Sequence, residues 1–134
     1  MPALLGLFER YTKRTGVRVS FHHSGVEGRR FAPEVETTAY RVVQEALTNV
    51  ARHARVTETA VRVWVDADAL QVQVEDEGVG FDPQAVLAAG RSSGLPGLHE
   101  RVRLVGGRLT LESSPGGGTH LLAELPLAGP AGAR

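Results

Sequence analysis

The sequence has no cysteine, which excludes disulfides, thiolate metal sites and a cysteine nucleophile. It has no apolar run near the roughly 20 residues of a membrane-spanning helix, and no signal-peptide pattern opens it. Neither sign of charge is in excess, because 15 acidic residues balance 15 Lys and Arg residues. No overall positive field therefore draws the protein to nucleic acid or to an anionic membrane. These absences fit a cytoplasmic protein.

The composition is that of one globular domain. The chain has 134 residues, of which 42% are hydrophobic, enough for a single core. Hydrophobic periodicity predicts a mixed sheet with helices packed on one face, an α+β two-layer sandwich. Helices are expected at 1–15, 33–54 and 95–105, strands at 17–22, 61–66, 70–75, 109–111 and 121–125, and a helical turn at 83–89. We expect residues 1–127 to form the domain and residues 128–134 to be a disordered tail.

The first candidate for chemistry is the run Asp76-Glu77-Gly78-Val79-Gly80, which follows a strand-like segment. A carboxylate there can accept a hydrogen bond from adenine N6, and Gly78 and Gly80 would let the backbone approach the ring. An acceptor-only group favours adenine over guanine at that edge, so the run predicts a base-selective site. The alternative is that Asp-x-Gly is an ordinary turn after a strand.

A second candidate lies on the long helix, where Glu45 and Asn49 are four residues apart and share a face. We expect that face to lie opposite the apolar stripe, with Arg52 and His53 continuing it by one turn. The Asn49 amide oxygen suits Mg²⁺, Glu45 could orient or deprotonate a nucleophile, and Arg52 could neutralise phosphate. A solvated helix face is the competing interpretation, and for Arg52 and His53 taken alone it is the better one.

Two glycine-rich segments complete the pattern. Gly94-Leu95-Pro96-Gly97-Leu98 opens a helix, whose free amides and positive dipole end favour an anion. It lacks the Lys-Ser/Thr ending of a P-loop. Thr119 follows a glycine run at the start of the last strand, where its hydroxyl could join a water network around the base. It could equally be a β-branched strand residue.

Together these segments resemble the ATP-binding domain of sensor histidine kinases. Residues 40–54 are similar to the family's N-box, residues 76–81 and 94–101 to its two glycine boxes, and residues 106–119 to its closing hairpin. The wording Gln44-Glu45-Ala46-Leu47-Thr48-Asn49 resembles the subfamily paired with helix-turn-helix response regulators. The resemblance covers nearly the whole chain, from Leu4 to Leu127.

The resemblance implies a Bergerat-type sandwich that binds ATP and Mg²⁺ and donates the γ-phosphoryl group to a histidine. It implies that Asp76 binds adenine, Asn49 binds Mg²⁺, and Glu45 lies near the transferred group. The second glycine box, with Gly94, Leu95, Gly97 and Leu98, would serve the lid and phosphates. Nothing matches the family's phosphoacceptor histidine. We therefore expect a catalytic domain cut from a longer, possibly membrane-bound kinase, acting on a separate histidine-containing dimerisation domain and indirectly on a response regulator.

Other functions remain open at this point. Within the same fold, a GHKL ATPase would use Glu45 to activate water for hydrolysis. A non-catalytic module would keep a degenerate pocket only as a docking surface. No dimer seam is evident in the sequence, so we expect the isolated fragment to be a monomer.

Overall fold

A computed structural model describes residues 2–80 and 94–127 of the chain. In that part the helices are α1 (Pro2–Thr15), α2 (Pro33–Asn49) and α3 (Gly94–Leu104), and a π-helical segment, Val50–Ala54, follows α2. The strands are β1 (Arg18–Ser24), β2 (Glu58–Asp66), β3 (Ala69–Asp76), β4 (Arg108–Ser113) and β5 (Thr119–Pro126). The expected helical turn at 83–89 and the expected tail at 128–134 lie outside the described residues.

The strands form one mixed sheet in the order β1-β2-β3-β5-β4. β1 and β2 run parallel, because the chain crosses over through α2 between them, and the other pairs are antiparallel. Val19 pairs with Thr59 at one junction, and Asp76 pairs with Thr119 at another. The C-terminal end of β3 therefore lies beside the N-terminal ends of β2 and β5.

The core lies between the sheet and one layer of helices, which confirms the two-layer sandwich. α2 packs against β3, β5 and α3, while α1 packs against α2 and β1. The apolar stripe of α1 is buried on the domain itself and consists of Leu4, Leu7, Phe8 and Tyr11. The rings of Phe8 and Phe21 lie 5.0 Å apart. Alternate strand residues such as Val61, Val63 and Val72 are fully buried beneath the helices.

α2 begins as its sequence predicts but ends differently. Pro33 occupies the first turn, and the Glu36 carboxylate accepts a hydrogen bond from the Phe31 backbone amide at 3.0 Å. The α-helix was expected to continue to about Ala54. Instead it ends at Asn49, the next turn widens to a π-helix, and Arg55 closes it with a left-handed φ of 57°.

α3 ends as expected at a glycine pair. Gly106 has a φ of 80°, and its amide donates to the carbonyl of Arg103 at 2.9 Å. The amide of Gly107 donates to the carbonyl of Val102 at 2.9 Å, so the free carbonyls of the last turn are used. Across residues 2–80 and 94–127, no helix is long and apolar enough to cross a membrane.

Candidate nucleotide site

Asp76 is the last residue of β3 and points toward the helix layer, where only 7% of it is exposed. The Gly78 backbone amide donates to its Oδ1 at 2.8 Å, so the Asp-x-Gly turn does form. Within the described residues that is the one hydrogen bond to this carboxylate. Burial raises the pKa of the Asp76 carboxyl, the Gly78 hydrogen bond opposes the rise, and the charge of Glu75 adds to it. The turn and the buried carboxylate therefore coexist, and Oδ2 remains available as an acceptor.

Asp76 lies in a row of small polar side chains at one end of the sheet. Thr59, Thr119 and Ser113 occupy neighbouring strands on the same face, and we call these four residues the polar row. Thr59 is 2% exposed and donates to the Glu75 carbonyl at 2.8 Å. The hydroxyls of Ser113 and Thr119 are 2.9 Å apart. The row thus places hydroxyl groups on both sides of the buried carboxylate.

Thr59 and Ser113 are the members that our interpretation of the sequence missed. Both continue an apolar alternation by one more step, since Thr59 precedes Val61 and Ser113 follows Leu111 with one residue between. That period-2 register was a usable signal, because it puts both residues on the buried face. What the sequence could not provide was the strand order that brings them beside Asp76.

Two glycines near the polar row are required by packing. Gly80 has a φ of 66°, and a Cβ there would collide with the carbonyl oxygen of Ser114 and approach that of Gly118 to 2.9 Å. Gly118 has a φ of 74°, and a Cβ there would collide with the carbonyl oxygen of Asp76. The loop after β3 and the β4–β5 turn therefore interlock. We had explained Gly80 by close approach to a base, and the structure supplies this second reason for glycine.

Glu45 and Asn49 lie one turn apart near the end of α2, and both are partly buried. The expectation that they lie opposite the apolar stripe is wrong, because α2 packs against both the sheet and α3 and so covers the flanks of the stripe. Within residues 2–80 and 94–127, neither side chain has a hydrogen bond or ion pair. The structure joins them to Asp76 only through the packing of α2 on β3.

Arg52 and His53 belong to the π-helical segment, not to the α-helix. The α-helical spacing that placed them on the face of Glu45 and Asn49 therefore does not extend to them. Arg52 is exposed. Single π turns inside helices often occur at functional sites, which makes this segment worth testing but assigns no role.

The first turn of α3 combines a core residue with an open backbone. Leu98 is 3% exposed and packs in the core, so its side chain anchors the helix. Gly97 is exposed, and a Cβ added to it meets no described atom within 4 Å. Gly94 is the first residue of α3, Leu95 follows it, and no acidic residue lies in that first turn. A helix start without acidic side chains leaves its partial positive charge free for an anion.

The fold is an α+β two-layer sandwich with the polar row at one end of its sheet. A family model described as histidine kinase-, DNA gyrase B-, and HSP90-like ATPase matches residues 34–129. That match covers more than half of the chain. The chain therefore belongs to this ATPase family.

Curated relatives are similar to the chain over nearly all of its residues. One is the signal transduction histidine-protein kinase/phosphatase DegS of Brevibacillus brevis, 35% identical over 127 residues, which are 95% of this chain and 32% of the relative. Another is the oxygen sensor histidine kinase NreB of Staphylococcus carnosus (strain TM300), 35% identical over 93% of this chain and 35% of the relative. The chain thus spans about a third of the length of these relatives.

Solved structures agree on the fold. A blue-light activated histidine kinase from Erythrobacter litoralis EL346 superposes with a TM-score of 0.71 at 25% identity, covering 94% of this chain and 41% of that one. The histidine kinase AdeS of Acinetobacter baumannii gives a TM-score of 0.70 at 14% identity, covering 94% and 62%. The second likeness supports the fold alone.

Proposed function

We propose that residues 1–127 are the ATP-binding catalytic domain of a histidine kinase in two-component signalling. The observation that carries the proposal is the buried Asp76 carboxylate. Gly78 orients one of its oxygens, and the other has no hydrogen-bond partner among the described residues. The family match and the two kinase relatives support it. In this proposal the γ-phosphoryl group passes from ATP to a histidine on a dimerisation domain of the same full-length kinase. A response regulator then receives it.

Asp76 is proposed to read the base. Its Oδ2 accepts a hydrogen bond from adenine N6, while Gly78 keeps Oδ1 in place. Guanine carries a carbonyl oxygen at that position, so two acceptors would face each other and binding would be weak. Thr119, paired with Asp76 across the sheet, supplies a hydroxyl to the water network around the base.

The phosphate end is proposed to lie between α2 and α3, which pack against each other. Asn49 offers a neutral oxygen to Mg²⁺, a cation that keeps several waters and phosphate oxygens as ligands. The first turn of α3 offers backbone amides. Gly97 is supported here because packing against the described residues gives no reason for glycine at that position. When bound, ATP with Mg²⁺ would supply the phosphoryl group: the unprotonated imidazole nitrogen bonds to the γ-phosphorus and ADP leaves. Glu45 orients the imidazole and takes the proton from its other nitrogen. Arg52 and His53 are proposed to balance phosphate charge.

Two measurements test the proposal. Titration calorimetry of the chain with ATP and Mg²⁺ should show binding below millimolar nucleotide, and GTP should bind more weakly. With γ-labelled ATP the chain alone should stay unlabelled, whereas an added histidine-containing dimerisation domain should gain label. The absence of any binding up to millimolar ATP would leave only a docking function. Steady hydrolysis by the isolated chain, lost in Glu45→Ala, would make it a hydrolase instead.

The cellular setting is part of the same proposal. We propose a cytoplasmic domain that acts as a monomer in isolation, since dimerisation in such kinases resides in the segment that carries the phosphoacceptor. Sedimentation of the isolated chain with and without ATP measures this directly. A concentration-dependent dimer would refute the monomer.

A further inference from the structure

Tyr11 carries a buried hydroxyl for which the site described above has no use. The residue is 1% exposed, and within the described residues its hydroxyl has no hydrogen-bond partner. The Thr15 hydroxyl approaches the phenol closely enough to lower its pKa. It forms no hydrogen bond with the phenol, and it donates instead to the Tyr11 backbone carbonyl at 2.8 Å and accepts from the Val17 amide at 3.1 Å. A buried donor without an acceptor costs roughly 1–3 kcal/mol, so its presence calls for an explanation.

The position of α1 brings Tyr11 to the end of the sheet that carries the polar row. The Thr12 hydroxyl donates to the Val17 carbonyl at 2.8 Å, which ties the last turns of α1 to the start of β1. There the Arg18 amide donates to the Thr57 carbonyl at 2.9 Å, and Val19 pairs with Thr59. Thr59 bonds in turn to the Glu75 carbonyl, one residue before Asp76. The last turns of α1, which include Tyr11, therefore lie beside the start of β1, at the end of the sheet that carries Thr59 and Asp76.

The electrostatics of the phenol agree with that placement. Burial raises the pKa of Tyr11 to about 12, Thr15 and Arg14 oppose the rise, and the charge of Asp76 adds to it. The pKa of the phenol therefore responds to the Asp76 charge. The phenol also keeps its proton at neutral pH and can act as a donor.

We propose that Tyr11 is a positioning residue for base recognition: its hydroxyl donates, directly or through one water, to the Asp76 carboxylate when a purine with an amine at C6 is bound. The inference rests on the proposed function, since it concerns how Asp76 is held. The Gly78 amide orients Oδ1 from the loop side. Tyr11 supplies the second donor, from the helix side, so that the carboxylate faces the amine instead of turning toward Glu75 and solvent.

The central test compares Tyr11→Phe with the unmodified chain by titration calorimetry. Tyr11→Phe removes the hydroxyl and keeps the ring, and we expect ATP to bind about five- to tenfold more weakly, the loss of one modest hydrogen bond. The comparison variant is Tyr40→Phe, which makes the same change at the chain's other tyrosine, on α2, and it should weaken ATP binding less than Tyr11→Phe does. If the Tyr11 hydroxyl only fills space, Tyr11→Phe should raise the melting temperature and leave ATP affinity unchanged, and that result overturns the inference.

A second readout separates positioning from packing. Purine riboside triphosphate lacks the N6 amine, so Tyr11→Phe should not weaken its binding. In an Asp76→Asn background, Tyr11→Phe should cost ATP less than twofold, because the group it positions is gone. Equal losses for both nucleotides, or full additivity with Asp76→Asn, would contradict the inference.

A third measurement keeps the Tyr11 hydroxyl in place. With ring-labelled tyrosine and Tyr40→Phe, the carbon bearing the Tyr11 hydroxyl gives one NMR signal, which should shift on adding ATP and not on adding GTP. An unmoved signal under saturating ATP overturns the inference while leaving the proposed function standing. Failure of the unmodified chain to bind ATP refutes the proposed function itself.

Discussion

Replacing Asp76 with Asn tests the adenine-reading role with the smallest change in shape. The Asn side-chain oxygen can still accept the hydrogen bond that the Gly78 amide now donates to Asp76 Oδ1 at 2.8 Å. The other oxygen becomes an NH₂ group, which would face the adenine amine as a second donor. The turn is therefore kept, and the acceptor proposed for the base is lost.

The expected loss follows from the kind of bond. A hydrogen bond to a charged group contributes about 1.5–3 kcal/mol, which is roughly a ten- to 150-fold loss of ATP affinity. The folding stability of Asp76→Asn should rise, because burial disfavours the charged carboxylate and Asn carries no charge. Calorimetry with ATP and GTP, together with melting curves, measures both effects. Unchanged ATP affinity, or equal binding of ATP and GTP by the unmodified chain, would refute the assignment.

The remaining predictions use the same assays. Gly97→Ala should fold at least as stably as the unmodified chain, since helices favour Ala over Gly by up to about 1 kcal/mol. The variant should nevertheless bind ATP more weakly, and unchanged affinity would exclude a phosphate-binding role for that turn. Gly118→Ala, the matched control, should lose about 1–3 kcal/mol or more of folding free energy, because Gly118 has a φ of 74° and a Cβ there would collide with the Asp76 carbonyl oxygen. Urea denaturation measures this loss, and a curve equal to that of the unmodified chain would contradict the interlocked loops. Asp76 should stabilise the fold most below the pKa of about 4 that its carboxyl has in the unfolded chain. This contribution should fall as the pH rises through the raised pKa of the folded state, because the native state holds the proton more tightly. Melting curves of Asp76→Asn at several pH values should lack this dependence. Glu45→Gln should retain ATP affinity within about threefold but slow transfer to an added acceptor domain by roughly a hundredfold, and equal transfer rates would exclude a role in proton transfer.

Local patterns predicted most of the fold because each element obeys a simple period. The α1 stripe and the strand alternations are buried as the spacing indicated, and Pro33 and Gly106 mark helix boundaries for local steric reasons. The predicted end of α2 was wrong because no such local signal is present there. Nothing in residues 50–54 distinguishes a π turn from an α turn, since both satisfy the same apolar pattern.

The site was predictable where one residue type does the chemistry and unpredictable where distant segments meet. Asp76 was identifiable as a carboxylate after a buried strand. The exposure of Glu45 and Asn49 was misjudged, because the flanks of a helix are covered or open according to its neighbours, and α3 is remote in sequence. The sequence did not predict a role for the Tyr11 hydroxyl, because Tyr and Phe are equally compatible with a position in an apolar helix stripe.

The glycines of this chain show why a motif by itself does not identify contacts with a nucleotide. Gly80 and Gly118 belong to segments that resemble nucleotide boxes, yet each has a positive φ and a missing Cβ that faces another loop. Gly97 has neither constraint among the described atoms, so packing leaves its identity unexplained. If a ligand requires glycine at position 97 and packing requires it at position 118, Gly97→Ala should lower ATP affinity without lowering folding stability. Gly118→Ala should mainly lower folding stability. The free space at the Cβ position of Gly97, more than the place of Gly97 in a glycine box, thus identifies it as the glycine to test for contact with a phosphate.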